Sequence, residues 1–212
     1  MWNKLKEQFN LLKLEKKKLY LITNSDKFQS KDEFLDATAS ALQGGVDMIM
    51  FRETNIPDKV KVEIANKLRA LCDEFGATLI INDRADIAQI VEADGVHLGS
   101  NDINPQDARE ILGENAIIGK TTHNPDEVIE AVNEGVDYIT FEPIANNVEE
   151  IETYIGWVSE NIDIPVFFSG EINLNNVNEL IQKGAKKVAL TEALMYAASP
   201  EQTARKFLTY LP

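Results

Sequence analysis

A closed (β/α)8 barrel of the TIM type, an α/β fold, is the architecture this sequence predicts, and three observations predict it. Short apolar or β-branched runs alternate with longer stretches of helical period eight times along the chain. Four segments echo one another, QGGVDMIMF (43–51), EADGVHL (92–98), NEGVDYITF (133–141) and QKGAKKVAL (182–190), each setting a glycine just ahead of an apolar strand. The turn after the first strand reads TNSDKF, with no G-x-G-x-x-G, which argues against a doubly wound open sheet. Closing eight parallel units into a barrel disposes of the sheet edges.

Residues 1–18 (MWNKLKEQFNLLKLEKKK) carry six lysines and two glutamates, whereas the other 194 residues hold 15 bases against 33 acids. Trp2, Leu5, Phe9 and Leu12 recur at helical spacing, so an extra N-terminal amphipathic helix is expected, either closing one end of the domain or lying on a membrane surface. The rest, 19–212, reads as one barrel domain. Strands are expected at 19–23, 48–51, 78–81, 95–98, 117–121, 138–141, 165–169 and 188–190. Helices are expected to start near Lys31, Pro57, Ala85, Pro105, Pro125, Val148, Asn173 and Glu201, several with a Pro, Asn or Asp where those residues suit an N-terminus. The recurrent glycines are read as helix ends in the left-handed conformation.

Composition bounds the function. The chain has 212 residues, 44% hydrophobic and 26% charged, enough to bury a core and far from the disordered range. A net charge of −14 repels polyanions, so nucleic acid is not an expected partner. One cysteine, Cys72, cannot pair within the chain, and without Cys/His clusters there is no structural zinc motif. Neither a signal-peptide core nor a run of about 18 apolar residues is present, so no membrane span and a cytoplasmic location are expected. Self-association into a homo-oligomer is left open.

In such a barrel the active site gathers where the strands end, which singles out the polar residues there. Arg52 and Glu53 end the second strand, Asn82 and Asp83 the third; Asp102 follows the fourth, Thr121 and His123 the fifth, Glu142 the sixth, Gly170 and Glu171 the seventh, and Glu192 the eighth. Asp83 and Asp102 leave neighbouring strands, an arrangement suited to a hard divalent ion such as Mg2+, unless each merely caps its following helix. Arg52 suits a bidentate grip on phosphate, or else a salt bridge to Glu53 or Asp83. His123, on a loop, is a better acid or base than His97, which sits inside an apolar strand. Lys120 alternates with Thr121, so only one of them faces the lumen, and Thr121 has the better claim.

LYLIT (19–23), the Arg52-Glu53 pair of FRE, LIINDRADIA (79–88), ADGVHLG (93–99) followed by Asp102, IIGKTTHNPDE (117–127), GVDYITFEPI (135–144), IPVFFSGEI (164–172) and GAKKVAL (184–190) come in an order and spacing that resemble the thiamine phosphate synthase family and its relative, the thiazole tautomerase of thiamine biosynthesis. The resemblance runs from about Leu19 to Pro200. It implies a transferase joining hydroxymethylpyrimidine diphosphate to thiazole phosphate with loss of pyrophosphate, through a dissociative step assisted by Mg2+. Carried over by position, Asp83 and Asp102 would bind the metal, Arg52 and Asn82 the pyrimidine diphosphate, and Thr121 stands where the family usually has Ser. Gly170 falls at a substrate-binding turn.

Several positions depart from that pattern. The family's Q-x-R-E-K is here Met50-Phe51-Arg52-Glu53-Thr54, the Thr-x-Thr-Lys segment is missing from ANNVEE (145–150), the second glycine after strand seven is Glu171, and a serine after strand eight is Glu192. Like charges about 4 Å apart repel by about 4 kcal/mol at an effective dielectric near 20. Unless Glu171 and Glu192 turn away, a phosphorylated thiazole is expected to bind poorly. Whether Lys59 or Lys61, on the next helix, swings in to replace the absent lysine is left open by the sequence. Two other readings stay open: a tautomerase-like isomerase using His123 as proton shuttle, and a non-catalytic barrel with a degenerate phosphate site.

Overall fold

The structure, a computed structural model, describes residues 10–142 and 148–212. Among them, eight parallel strands close into a barrel in sequence order: β1 (Leu19–Ile22), β2 (Met48–Phe51), β3 (Thr78–Asn82), β4 (Gly95–Leu98), β5 (Ile117–Thr122), β6 (Tyr138–Phe141), β7 (Val166–Phe168) and β8 (Val188–Leu190), with β8 pairing back to β1. Around it lie α1 (Lys31–Gln43), α2 (Asp58–Phe75), α3 (Ala85–Ile90), α4 (Pro105–Leu112), α5 (Pro125–Asn133), α6 (Val148–Asn161), α7 (Val177–Gln182), α8 (Glu192–Met195) and α9 (Pro200–Tyr210). Asn104, Asn124 and Ser199 cap α4, α5 and α9 through their side chains, each with proline at the first turn.

Two expectations need correction. The helix expected from Asn173 begins at Val177, because the Asn173 and Asn176 side chains bond nearby backbone groups and hold 173–176 as a turn. The short α8 was not anticipated. The echoed glycines also divide by role: Gly45, Gly135 and Gly184 do adopt positive φ, but Gly95 is the first residue of β4, where a Cβ would fall 1.8 Å from the Ile117 carbonyl oxygen. Close strand approach, not a helix end, requires that glycine.

Alternation along the strands makes two cores. Leu19, Leu21, Ile49, Leu79, Val96, Ile139 and Phe168 face outward against the helices. Tyr20, Met48, Met50, Ile80, Tyr138, Phe167 and Ala189 fill the lumen together with Leu14.

Leu14 belongs to a helical stretch, residues 10–15, that closes the amino-terminal mouth of the barrel. The mouth carries a repeated device. Asp47, Asp94 and Asp137, each just before an even-numbered strand, accept an N–H from the first or second residue of the preceding strand: Leu19 at 3.2 Å, Leu79 at 2.9 Å and Ile118 at 2.8 Å. The N-terminal stretch meets all three, through the Lys18 N–H to Asp47, Lys13 to Asp94 and the Asn10 amide to Asp137. Ahead of β8 the acid is replaced by Lys187, whose ammonium donates to the carbonyls of Leu14, Glu15 and Lys17. So residues 10–18 plug the amino-terminal mouth of the barrel; Trp2, Leu5 and Phe9 of the expected amphipathic face lie outside the described residues, and Leu12 is exposed. No helix among the described residues is long and apolar enough to cross a membrane.

Candidate active site at the barrel rim

Asp83 leaves β3 with φ of 63°, one of two non-glycine residues with positive φ among those described. The left-handed turn is held by its own N–H donating to His97 O at 2.9 Å and by the Arg84 N–H donating to Asn82 O at 2.7 Å. Aspartate tolerates this backbone, and the turn sends its carboxyl toward the neighbouring strand exit. There Asp102 accepts the Gly99 N–H at 2.6 Å. Burial, with the facing Asp102 as the next cause, pushes the Asp83 carboxyl up to about 6, while Arg52 and Lys61 pull it back. The helix-capping alternative fails: α3 is preceded by Arg84, with no side-chain cap, and α4 is capped by Asn104.

Arg52 is exposed and enters no ion pair among the described residues, so the expected alternative of a salt bridge to Glu53 or Asp83 is not made. Glu53 instead accepts the Ser25 hydroxyl at 2.6 Å and keeps its other oxygen buried without a partner; burial raises its carboxyl. The Arg52 backbone is pinned by its N–H to Thr23 Oγ1 at 3.1 Å. A cavity of about 160 Å³ lies beside Phe51, Glu53, Thr54, Lys61, Asn82 and Asp83. Lys61 faces it from α2 with a side chain only 14% exposed, 4.0 Å from Asp58, whereas Lys59 is exposed.

On β5, Thr121 turns into the lumen and Lys120 outward, where it pairs with Glu134. His123 is fixed by two contacts: its N–H donates to Glu127 Oε2 at 2.9 Å, and its Nδ1 meets the Glu142 carbonyl oxygen at 2.5 Å. A carbonyl accepts, so Nδ1 carries the hydrogen of this contact. His97 is buried, as expected, with Nδ1 on the Tyr138 hydroxyl and Nε2 on Thr121; burial, then Arg52, pulls it down to about 3, so it is neutral. Tyr20 and Tyr138, which stand in this network, were not singled out from the sequence. Lumen-facing tyrosines in otherwise apolar strands were the available signal.

At the far side of the rim, Gly170 leaves β7 with φ of 137° and accepts the Ile172 N–H at 2.7 Å. The two anions expected to oppose phosphate are placed differently from that expectation. Glu192 is paired with Lys27 at 3.2 Å, Lys27 lies 4.3 Å from the centre of the Tyr196 ring, and Glu171 points to solvent. Residues 143–147, where the Thr-x-Thr-Lys segment is missing, lie outside the described residues.

Two converging carboxylates fit a hard divalent ion that keeps waters and takes phosphate oxygens for its remaining ligands. No group of three or more His, Cys, Asp or Glu is poised around an ion among the described residues, so an all-protein cage is not built.

The fold is a (β/α)8 barrel, whose candidate site at the strand exits gathers Asp83 and Asp102 with Arg52, a guanidinium that has no ion-pair partner among the described residues. A family profile described as thiamine monophosphate synthase matches residues 19–194, and the chain belongs to that family. It is 36% identical over 204 residues to the thiamine-phosphate synthase of a Nostoc species, covering 93% of this chain and 57% of the relative. The thiamine-phosphate synthase of Dictyoglomus turgidum is 35% identical over 213 residues, covering 97% of this chain and 94% of the relative. Among solved structures, thiamine phosphate pyrophosphorylase from Pyrococcus furiosus superposes with a TM-score of 0.82 at 30% identity, covering 94% of this chain and 96% of that one. The chain thus spans little more than half the length of the cyanobacterial relatives it matches, and nearly all of the others.

Proposed function

We propose that the protein is a thiamine phosphate synthase, joining hydroxymethylpyrimidine diphosphate to thiazole phosphate with release of pyrophosphate. The observation that carries the reading is the convergence of Asp83 and Asp102 beside Arg52, which has no ion-pair partner among the described residues. Mg2+ held by these two aspartates would offset the charge that collects on the departing diphosphate. Arg52 grips the diphosphate in a bidentate fork, and Lys61 adds a second cation from the same cleft. Asn82, whose amide has no partner among the described residues, binds the pyrimidine diphosphate beside Arg52, and Thr121 contacts the pyrimidine from β5. Gly170 offers backbone without a side chain where the thiazole phosphate docks. His123, held at the rim by its Nδ1 contact to the Glu142 carbonyl, presents Nε2 as a hydrogen-bonding group that orients the substrate. The Lys27–Glu192 pair removes one repulsive charge from the phosphate side, which weakens the case for a site degenerate toward anions. A cytoplasmic setting suits the single buried thiol of Cys72.

The test is a direct assay with both phosphorylated substrates and Mg2+, following pyrophosphate release and the joined product. Product that disappears on chelation supports the reading. No product at high enzyme concentration rules it out.

A further inference from the structure

Below the rim, five polar side chains form one connected and largely buried chain. The Tyr20 hydroxyl lies 2.8 Å from that of Tyr138, which lies 2.9 Å from His97 Nδ1. His97 Nε2 lies 2.8 Å from Thr121 Oγ1 and 3.3 Å from Thr140 Oγ1, and the Thr140 hydroxyl stands 3.3 Å from that of Thr121. Tyr20 and Tyr138 are wholly buried and His97 nearly so.

The direction of the hydrogens from Tyr20 through His97 to Thr121 follows from the chain's dead end. Tyr138 is the single hydrogen-bond partner of the Tyr20 hydroxyl among the described residues. Were Tyr20 to accept, its own hydrogen would be buried with no acceptor, which is costly. Tyr20 therefore donates to Tyr138, and Tyr138 donates to His97 Nδ1. Among the described residues no carboxylate acts on the ring to charge it; Arg52 is the ionised group that does. The neutral imidazole must then carry its hydrogen on Nε2 and donate to Thr121. With Nε2–H and the Thr140 hydroxyl both donating to it, the Thr121 oxygen has both lone pairs filled.

We propose that Tyr20, Tyr138 and His97 act as a polarity-setting relay that holds the Thr121 hydroxyl as an obligate hydrogen-bond donor toward the substrate. The site then selects an acceptor at that point, a ring nitrogen or a phosphate oxygen, and rejects an analogue presenting a donor. His97 is a positioning residue, acting through Thr121. That Thr121 meets substrate rests on the synthase reading; the polarity of the relay does not.

The relay is tested by two-bond 1H–15N NMR of protein labelled at histidine, which tells the two neutral tautomers apart. The chain has only His97 and His123, so His97→Gln assigns the signals. The expected result is His97 with a bare Nδ1 and a protonated Nε2; a proton on Nδ1 overturns the relay. Tyr138→Phe, checked for folding by circular dichroism, should lose the single-tautomer signature, and an unchanged one also overturns it. Binding of hydroxymethylpyrimidine diphosphate should weaken about three- to tenfold in Thr121→Val, the range one hydrogen bond supplies, and Thr121→Ser should recover most of that loss. Equal binding by Thr121→Val overturns the donor role. Failure of the unaltered protein to bind this ligand contradicts the synthase reading instead, and the tautomer still decides the relay.

Discussion

The Tyr138 ring occupies the space that a side chain on Gly119 would need: a Cβ built there falls 2.1 Å from Tyr138 Cζ. Gly119 is thus a lumen position emptied so that a neighbouring strand can place its tyrosine against Tyr20 and His97. Gly119→Ala should cost about 1–3 kcal/mol of stability by overpacking and displace Tyr138 from His97. Urea unfolding with the His97 NMR signals checks both; wild-type stability with unchanged His97 signals would show that the ring is not confined.

Lys61 lies beside Asp83 with, among the described residues, a single ion-pair contact, at 4.0 Å to an exposed Asp58, and so is available to a bound anion. Lys61→Met should weaken binding of inorganic pyrophosphate with Mg2+ by roughly tenfold or more, the worth of one charge-assisted contact. Calorimetric titration reads this directly. Unchanged affinity would leave Arg52 as the cation that matters.

Burial pushes the Asp47 carboxyl from the ordinary 3.8 up to about 6, against the pull of the Lys18 N–H and Lys17. Because the folded state holds this proton more tightly than the unfolded one, the associated stability is full below about pH 4 and lost as pH rises through about 6. Compared with Asp47→Asn, which cannot ionise, the wild type should lose about 2–3 kcal/mol between pH 4 and 7.5. Parallel urea titrations at the two pH values measure the difference, and a constant gap would contradict the assignment.

Leu14 is fully buried among Tyr20, Met48, Ile117 and Phe167, where it stoppers the lumen. Leu14→Ala should destabilise the protein by about 2–5 kcal/mol, seen in denaturant midpoint. A cost under about 0.5 kcal/mol, usual at a surface site, would mean that the N-terminal stretch is dispensable packing.

Much of this was legible in the sequence because the strands are short and largely apolar, and four of them begin at or shortly after an echoed glycine. Met48–Phe51, Gly95–Leu98, Tyr138–Phe141 and Val188–Leu190 fall at the residues expected. The order of the strands then places Asp83 and Asp102 on adjacent exits without further information. What pattern could not reveal were relationships between distant residues. The hydroxyls of Tyr20 and Tyr138, 118 positions apart, meet only once the barrel closes. The same holds for Lys27, which reaches Glu192 across 165 positions, so the charge of Glu192 looked uncompensated. Asn173 resembled a helix start, yet its side chain served a turn, since asparagine satisfies both roles with the same amide.

The central claim is that Asp83 and Asp102 jointly hold a divalent ion against a diphosphate. Anomalous scattering from crystals soaked in Mn2+ and inorganic pyrophosphate tests it most directly. The account predicts one strong peak within ligand distance of a carboxylate oxygen from each aspartate, with pyrophosphate oxygens completing the shell and Arg52 turned toward them. Pyrophosphate bound elsewhere, or a metal peak that touches neither aspartate, would contradict it.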